Sequence, residues 1–390
     1  MPNAPEKTTT TVWLFATASF LHDIGADMIF SVWPFFLTNV LGVNKSVVGL
    51  IDGIGDTLVS LSQAGAGYLS DRLRKRKVFV WMGYLFGSVA RIGYALAPTW
   101  QWVIPFRMLD RSGKMRSTPR DAIVAEISTR ENRGRHFGIL RMMDNSGAVL
   151  GIVLSLLLIG RLGYRTLFLL AAIPSVLAVL LVLIAYRERK GPDMLIFRGI
   201  RVAHWNANLK LYFLLSAIFE LGSFSYSFLL LYAHDTGIAA TKTPLLYLLF
   251  TVIAASLSLP FGKLADRIGR KPVMLFSFAC WGATTLLLVI DSHPLVIIAA
   301  FALYGTHKAA LDPVQRTMLA ELAPPAFVAS TMGAFQLATG VMSLPASLIA
   351  GVLWDTIGSR APLLLSLGLT CVAAVLLLAV RETGRSQPRS

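Results

Sequence analysis

Two carboxylates four residues apart, Asp23 and Asp27, lie inside a long apolar run near the start of the chain. At 100° per residue they stand about 40° apart on one helical face. Carboxylates that close disfavour joint ionisation, which suits a proton carrier. Asp23 and Asp27 could equally pair with Arg107, Arg111 or Lys114 and brace two helices together. His22 stands beside them, but no second His or Cys sits nearby at ligand spacing, so no metal is expected there. A second cluster, Arg107, Asp110, Arg111, Lys114, Thr118 and Asp121, falls within an arc of about 100° on one helix. Arg116 and Arg120 point the other way. A helix charged on two sides has no broad lipid face, so one side reads as a cavity wall and the other as a buried contact with a neighbour. Farther on, Glu220 stands alone on an apolar helix, and His307, Lys308 and Asp312 share another. Asp52, Asp56, Arg91 and Asp144 add further charge, the last two reading as structural. An ionisable group at bilayer depth costs at least about 2.5–3.5 kcal/mol on insertion scales, so each needs a partner or a water-filled path.

The elements that carry these groups are long apolar runs. Hydrophobic residues make up 55% of the 390, charged residues only 15%, and the mean hydropathy of +0.63 excludes an ordinary soluble domain. Runs of about 20 residues or more fall at 12–39, 46–69, 78–98, 101–126, 138–160 and 164–186. They resume at 209–234, 243–263, 272–291, 294–320, 326–352 and 361–381. The expectation is an all-α integral membrane protein of twelve transmembrane helices. The net charge of +15 belongs to its loops and does not signal nucleic acid. Arg72, Arg74–Lys77, Arg130, Arg133 and Arg135 share one side. By helix parity so do Arg187, Arg189, Lys190, Arg267, Arg270, Lys271 and the tail with Arg381, Arg385 and Arg389. Both termini are therefore expected to be cytoplasmic. The first run is long and lacks a small-residue cleavage site, so it reads as a helix and not as a signal peptide. Residues 191–208 are expected to link an N-terminal bundle, 1–190, to a C-terminal one, 209–390. Cys280 and Cys371 fall inside apolar runs and read as packing residues.

A duplication ties the halves together. Gly67-Tyr-Leu-Ser-Asp71-Arg72-Leu-Arg74-Lys75-Arg76-Lys77 returns 195 residues later as Gly262-Lys-Leu-Ala-Asp266-Arg267-Ile-Gly269-Arg270-Lys271-Pro272. The pattern resembles the loop G-x-L-x-D-R-x-G-R-K/R of the major facilitator superfamily, repeated between helices 2 and 3 and between helices 8 and 9. The second copy matches fully, while the first has Arg74 where the family has Gly. Arg107-Met-Leu-Asp110-Arg111-Ser-Gly113 and Pro119 resemble the family's helix-4 motif, and the chain looks like a bacterial branch with an acidic helix 1. The resemblance implies two pseudo-symmetric six-helix bundles and a cavity lined by helices 1, 4, 7 and 10, the helices in which the buried charges concentrate. It also implies a role for Arg107 in proton coupling. Gly67, Asp71, Arg72, Gly262, Asp266, Arg267 and Arg270 would form the conformational-switch loops. On helix 5, drug/proton antiporters carry G-x-x-x-G-P. Here Gly147 and Gly151 are followed by Ile152.

The sequence therefore points to a proton-coupled secondary transporter of a bacterial inner membrane, moving a small organic solute across the lipid bilayer by alternating access as a monomer. It carries no G-x-x-x-x-G-K-[ST] loop, and no cofactor or enzymatic activity is expected. Asp23, Asp27 and Glu220 are the titrating candidates. Arg107, Asp110, Arg111, Lys114, His307 and Lys308 complete the candidate site for an anionic or zwitterionic solute. The alternatives are a proton-driven exporter of lipophilic cations and, after it, a lipid or metal-ion carrier of the same fold.

Overall fold

The computed structural model describes residues 4–73, 75–128, 133–186, 205–323 and 328–382. Arg74, Arg130, Arg187, Arg189, Lys190, most of the 191–208 linker, Arg385 and Arg389 lie outside the described residues, as do the side chains of Asp71 and Arg133.

Every regular element among the described residues is helical. In lipid a backbone polar group finds no water, and a helix satisfies its own. The first run is α1 (Ala4–Phe30), a three-residue turn α2 (Trp33–Phe35) and a π-helical turn Phe36–Val40. Pro34 near the start of α2 has no N–H to continue the ladder, and the run bends there by 46°. The next runs are α3 (Lys45–Leu73) and α4 (Arg76–Leu96). The fourth is α5 (Trp100–Ser112), a 3-10 turn Gly113–Arg116 and α6 (Ser117–Ile127). α7 (Arg133–Ala185) has 53 residues, about 80 Å if straight, far beyond a hydrocarbon core of about 30 Å. It breaks at Gly163, whose φ of 70° is left-handed, and so supplies the fifth and sixth runs. The seventh run, expected as one helix, is instead α8 (Ala207–Gly222) and α9 (Tyr226–Asp235), and the Ser225 side chain caps the second piece at Ser227. The rest are α10 (Thr243–Ile268), α11 (Arg270–Ile290), α12 (Pro294–Leu322), α13 (Val328–Thr356) and α14 (Arg360–Ala379).

Among the described residues eight helices are long and apolar enough to cross a membrane, and the bent first run makes a ninth. The break in α7 adds a tenth crossing. The two remaining runs, α3 and α5–α6, are the ones that carry the charged residues most densely.

The chain forms two compact units. The first holds the described residues up to Val43, those from Ile54 to Ile196, and Ala239–Leu248. The second holds Asn44–Gly53 and the described residues from 205 to Ile238 and from Leu249 to 382. Shifting 44–53 by the 195-residue repeat offset gives 239–248, so each half lends the matching helix tip to the other unit. In the first unit α1 and α7 cross closely. A Cβ on Gly147 would lie 2.5 Å from the Phe20 carbonyl oxygen, and one on Gly151 would lie 2.3 Å from that of Ile24. Gly83 and Gly113 allow a similar approach of α4 to the 3-10 turn, where a Cβ on Gly83 would meet the Gly113 oxygen at 2.5 Å. Small residues at such crossings replace the hydrophobic drive that lipid does not supply.

Candidate functional site

In the first unit the two sides of the fourth run do different things. Arg116 and Arg120 are buried. Arg120 pairs with Asp121 at 2.9 Å and Asp144 at 3.4 Å, and donates to the Ser19 hydroxyl, which lies 2.9 Å from that of Tyr84. Arg116 donates to the Gly113 carbonyl at 3.1 Å, sits 4.9 Å from the centre of the Tyr84 ring, and pairs with Asp23 at 3.6 Å. These contacts tie α1, α4 and α7 to the fourth run. Asp23 thus pairs with Arg116, not with Arg107, Arg111 or Lys114. Nearby, the fully buried Arg91 donates through Nη2 to both His22 Nε2 and the His22 carbonyl, each at 3.1 Å. Because Arg91 only donates, Nε2 accepts and the imidazole proton sits on Nδ1. Gly87 makes the room: a Cβ there would fall 2.5 Å from the His22 ring and 3.6 Å from an oxygen of Asp110.

The opposite side carries Arg107, Arg111 and Lys114. The Arg107 guanidinium lies 4.5 Å from the Trp33 ring centre and 5.4 Å from that of Phe30, while Arg111 lies 4.5 Å from Phe30 and 4.0 Å from Asp56. Both cations are thus held by aromatic faces from the end of the first run. Gly55 leaves space for them, since a Cβ there would stand 3.1 Å from each side chain. Lys114 acts electrostatically on both Asp23 and Asp27 and has no ion pair within 4.0 Å among the described residues. Asp27 accepts a hydrogen bond from the Tyr247 hydroxyl at 3.0 Å, Tyr247 coming from the lent segment 239–248. Arg91, Arg107, Arg111, Lys114, Arg116 and Arg120 are matched in number by Asp23, Asp27, Asp56, Asp110, Asp121 and Asp144, with the 59% exposed Arg141 reaching Asp121 and Asp144 from the rim. The cations of the fourth run are therefore offset by acids on it and on its neighbours.

In the second unit Glu220 lies in the last turn of α8, just before the helix breaks, and accepts from the Ser343 hydroxyl at 3.1 Å. His307 is fully buried, its Nδ1 2.9 Å from the Ser277 hydroxyl, within an aromatic box of Phe219, Trp281 and Tyr304. Lys308 approaches the Tyr304 ring at 5.9 Å. Asp52, mentioned in the sequence only as one more charge, is fully buried and accepts from Ser225 at 2.8 Å and Ser227 at 2.5 Å. Its partners lie at a helix break that hydropathy does not reveal. The usable signal was an acid embedded in the glycine-rich stretch Gly49–Gly55.

Each duplicated loop sends an arginine to the equivalent glutamate, from positions one residue apart in the repeat. Arg76 pairs with Glu126 at 2.5 Å, and Arg270 pairs with Asp266 at 2.9 Å and Glu321 at 3.0 Å. Glu126 and Glu321 are themselves 195 residues apart. Gly269 opens α11 at a φ of 104°, a left-handed conformation that favours glycine at this position of the motif. A Cβ on Gly67 would meet Thr118 at 3.0 Å, whereas Gly262 has only Pro313 at 4.0 Å. Arg72 donates to the Tyr68 hydroxyl at 3.4 Å.

The family model for the Major Facilitator Superfamily matches residues 15–206 and 212–390. An uncharacterized MFS-type transporter of Methanocaldococcus jannaschii is 37% identical over 88% of this chain and 88% of its own. A multi-drug resistance efflux pump of Streptococcus pneumoniae is 24% identical, over 79% of this chain and 80% of its own. The crystal structure of a D-xylose–proton symporter superposes with a TM-score of 0.79 at 15% identity, covering 96% of this chain and 98% of that one.

Proposed function

Given that this chain belongs to the major facilitator superfamily and is an integral membrane transporter, we propose that it couples a proton to the movement of a small anionic or zwitterionic organic solute by alternating access. The observation that carries this reading is the charge balance around the fourth run. With the six acids there ionised, the six cations on and beside that run are offset in number, so an added anion is best accommodated when an acid takes up a proton. Anion and proton then travel together.

In this reading Asp27 is the proton carrier: its recorded hydrogen bond comes from an uncharged tyrosine, and Lys114 faces it without an ion pair. Asp23 is held by Arg116 and braces α1. Arg107, Arg111 and Lys114 hold the anionic group, with Phe30 and Trp33 fixing the guanidinium planes. Glu220, at the end of a half-helix, is a second titrating candidate. Asp110, His307 and Lys308 line or support the site. The 1–190 and 209–390 halves are the two moving bundles, and the duplicated loops switch them. Both termini face the cytoplasm, the protein sits in the plasma membrane, and it works as a monomer. Export of lipophilic cations is the second reading, favoured by the efflux-pump relative and opposed by Ile152 in place of the antiporter proline.

The test is thermal stabilisation of the detergent-purified protein by a panel of organic anions, zwitterions and lipophilic cations, followed by uptake of the hit into proteoliposomes. Stabilisation by one anionic or zwitterionic class, lost in Arg111→Ala and Lys114→Ala, is expected. Asp27→Asn should abolish uphill uptake driven by a proton gradient while retaining exchange of solute for solute. Stabilisation by diverse lipophilic cations, or uphill uptake in Asp27→Asn, refutes the proposal.

A further inference from the structure

The helix tip 44–53 sits in the second unit on contacts that the transport reading does not use. A Cβ on Gly49 would lie 2.1 Å from the Ser347 carbonyl oxygen, and one on Gly53 would lie 2.8 Å from the Leu344 backbone. A Cβ on Gly351 would meet the Lys45 oxygen at 2.4 Å. Backbone thus lies on backbone along this crossing. At the outer end of the tip Asp355 accepts from the Ser46 hydroxyl and amide at 2.6 and 2.7 Å, and Lys45 reaches Asp235 at 3.5 Å. At the inner end Asp52 holds the hydroxyls of Ser225 and Ser227, at the N-terminus of α9, while the Ser225 amide donates to Ser347 at 3.3 Å. A carboxylate at a helix N-terminus also meets the positive end of its dipole.

The repeat gives this cluster a counterpart. Residue 52 shifted by 195 is residue 247, and Tyr247 on the tip 239–248 is the group that donates to Asp27. Each tip therefore carries, at the same repeat position, one side of an acid–hydroxyl contact. In one copy the acid is on the tip, and in the other the hydroxyl is.

We propose that Asp52, with Ser225 and Ser227, is a clasp of the transport machinery, carried at the repeat position that Tyr247 occupies on the other tip, that must open once in every transport cycle. Alternating access requires the path to open at each end in turn. Asp52 lies nineteen residues before Asp71 on the same continuous helix, so the clasp is about 28 Å of helix away from the switch loop. It works at the end of α3 remote from that loop. Asp52 is a positioning residue: it sets how often the tip is released without holding the solute. The proposal rests on membership of the transporter family and not on which solute is carried.

The test needs no substrate. Ser347 is buried beside the clasp, and Cys280 is buried in α11 and makes none of the clasp contacts named above. In a Cys371→Ser background carrying Ser347→Cys, a charged water-soluble maleimide reports opening at the clasp, and Cys280 reports general loosening. Asp52→Ala should raise the labelling rate at position 347 by about tenfold or more, equivalent to about 1.4 kcal/mol, with Cys280 unchanged. Ser225→Ala combined with Ser227→Ala removes the donors instead of the acid and should do the same, which covers the case in which Asp52→Ala does not fold. Asp52→Asn, which keeps an acceptor oxygen, should fall between. Unchanged labelling at position 347 in the serine double variant, or a rise shared in proportion by Cys280, overturns the proposal.

Discussion

Arg120→Met should destabilise the protein by about 3–5 kcal/mol, and most of that cost should come from one stranded acid. Arg120 is 6% exposed and engages Asp121, Asp144 and Ser19 together. Without it, Asp121 keeps contact with water, its side chain being 29% exposed. Asp144 is 16% exposed and is left with Arg141 at 3.5 Å, a side chain that is itself 59% exposed and mostly solvated. An exposed partner of that kind recovers less than about 1 kcal/mol. Adding Asp144→Leu should therefore return stability to within about 1–2 kcal/mol of the parent, because replacing both members of a buried pair by apolar groups is often close to neutral. The coupling between the two sites comes to about 2–3 kcal/mol, well above the few tenths that independent sites show. Chemical unfolding in mild detergent of the parent, both single variants and the double variant measures it. Stabilities that add within about 0.5 kcal/mol would refute the argument. So would a double variant that folds but no longer binds solute, since this side of the fourth run would then be part of the site and not a brace.

Tyr247→Phe should fold normally and lower proton-driven flux by about tenfold or more, the loss of a hydrogen bond to a charged group being worth about 1.5–3 kcal/mol; proteoliposome uptake measures it. Gly151→Val should abolish correctly folded expression, since its Cβ would lie 2.3 Å from the Ile24 oxygen, whereas Gly160→Val, with nothing within 4 Å, should be tolerated. Size-exclusion profiles of the two variants distinguish these outcomes. Arg270→Leu should cost less than about 1 kcal/mol in unfolding experiments because Asp266 and Glu321 are both exposed. It should nevertheless slow transport if the duplicated loop is the switch proposed above.

Much of this protein was legible along the chain. Hydrophobicity is a local property that adds up over about 20 residues, so the apolar runs located the helices without knowledge of their neighbours. The duplicated loop placed the repeat, and helical geometry separated Arg116 and Arg120 from Arg107, Arg111 and Lys114 on the fourth run. Partner choice was not legible, because it joins residues far apart in sequence. Nothing local says that Asp23 pairs with Arg116, or that Asp27 accepts from a tyrosine 220 positions away. The break between α8 and α9 is hidden for the same reason. Leu221 to Tyr226 holds no proline, and the helix interruption is held by Asp52 and Ser347 from other helices. The sequence by itself determined the membrane class, the repeat and the inventory of buried charge. Only the tertiary structure decided which charges cancel and which helix tips are lent to the opposite unit, because a buried charge is stabilised by whatever lies within about 4 Å of it, and that is set by packing.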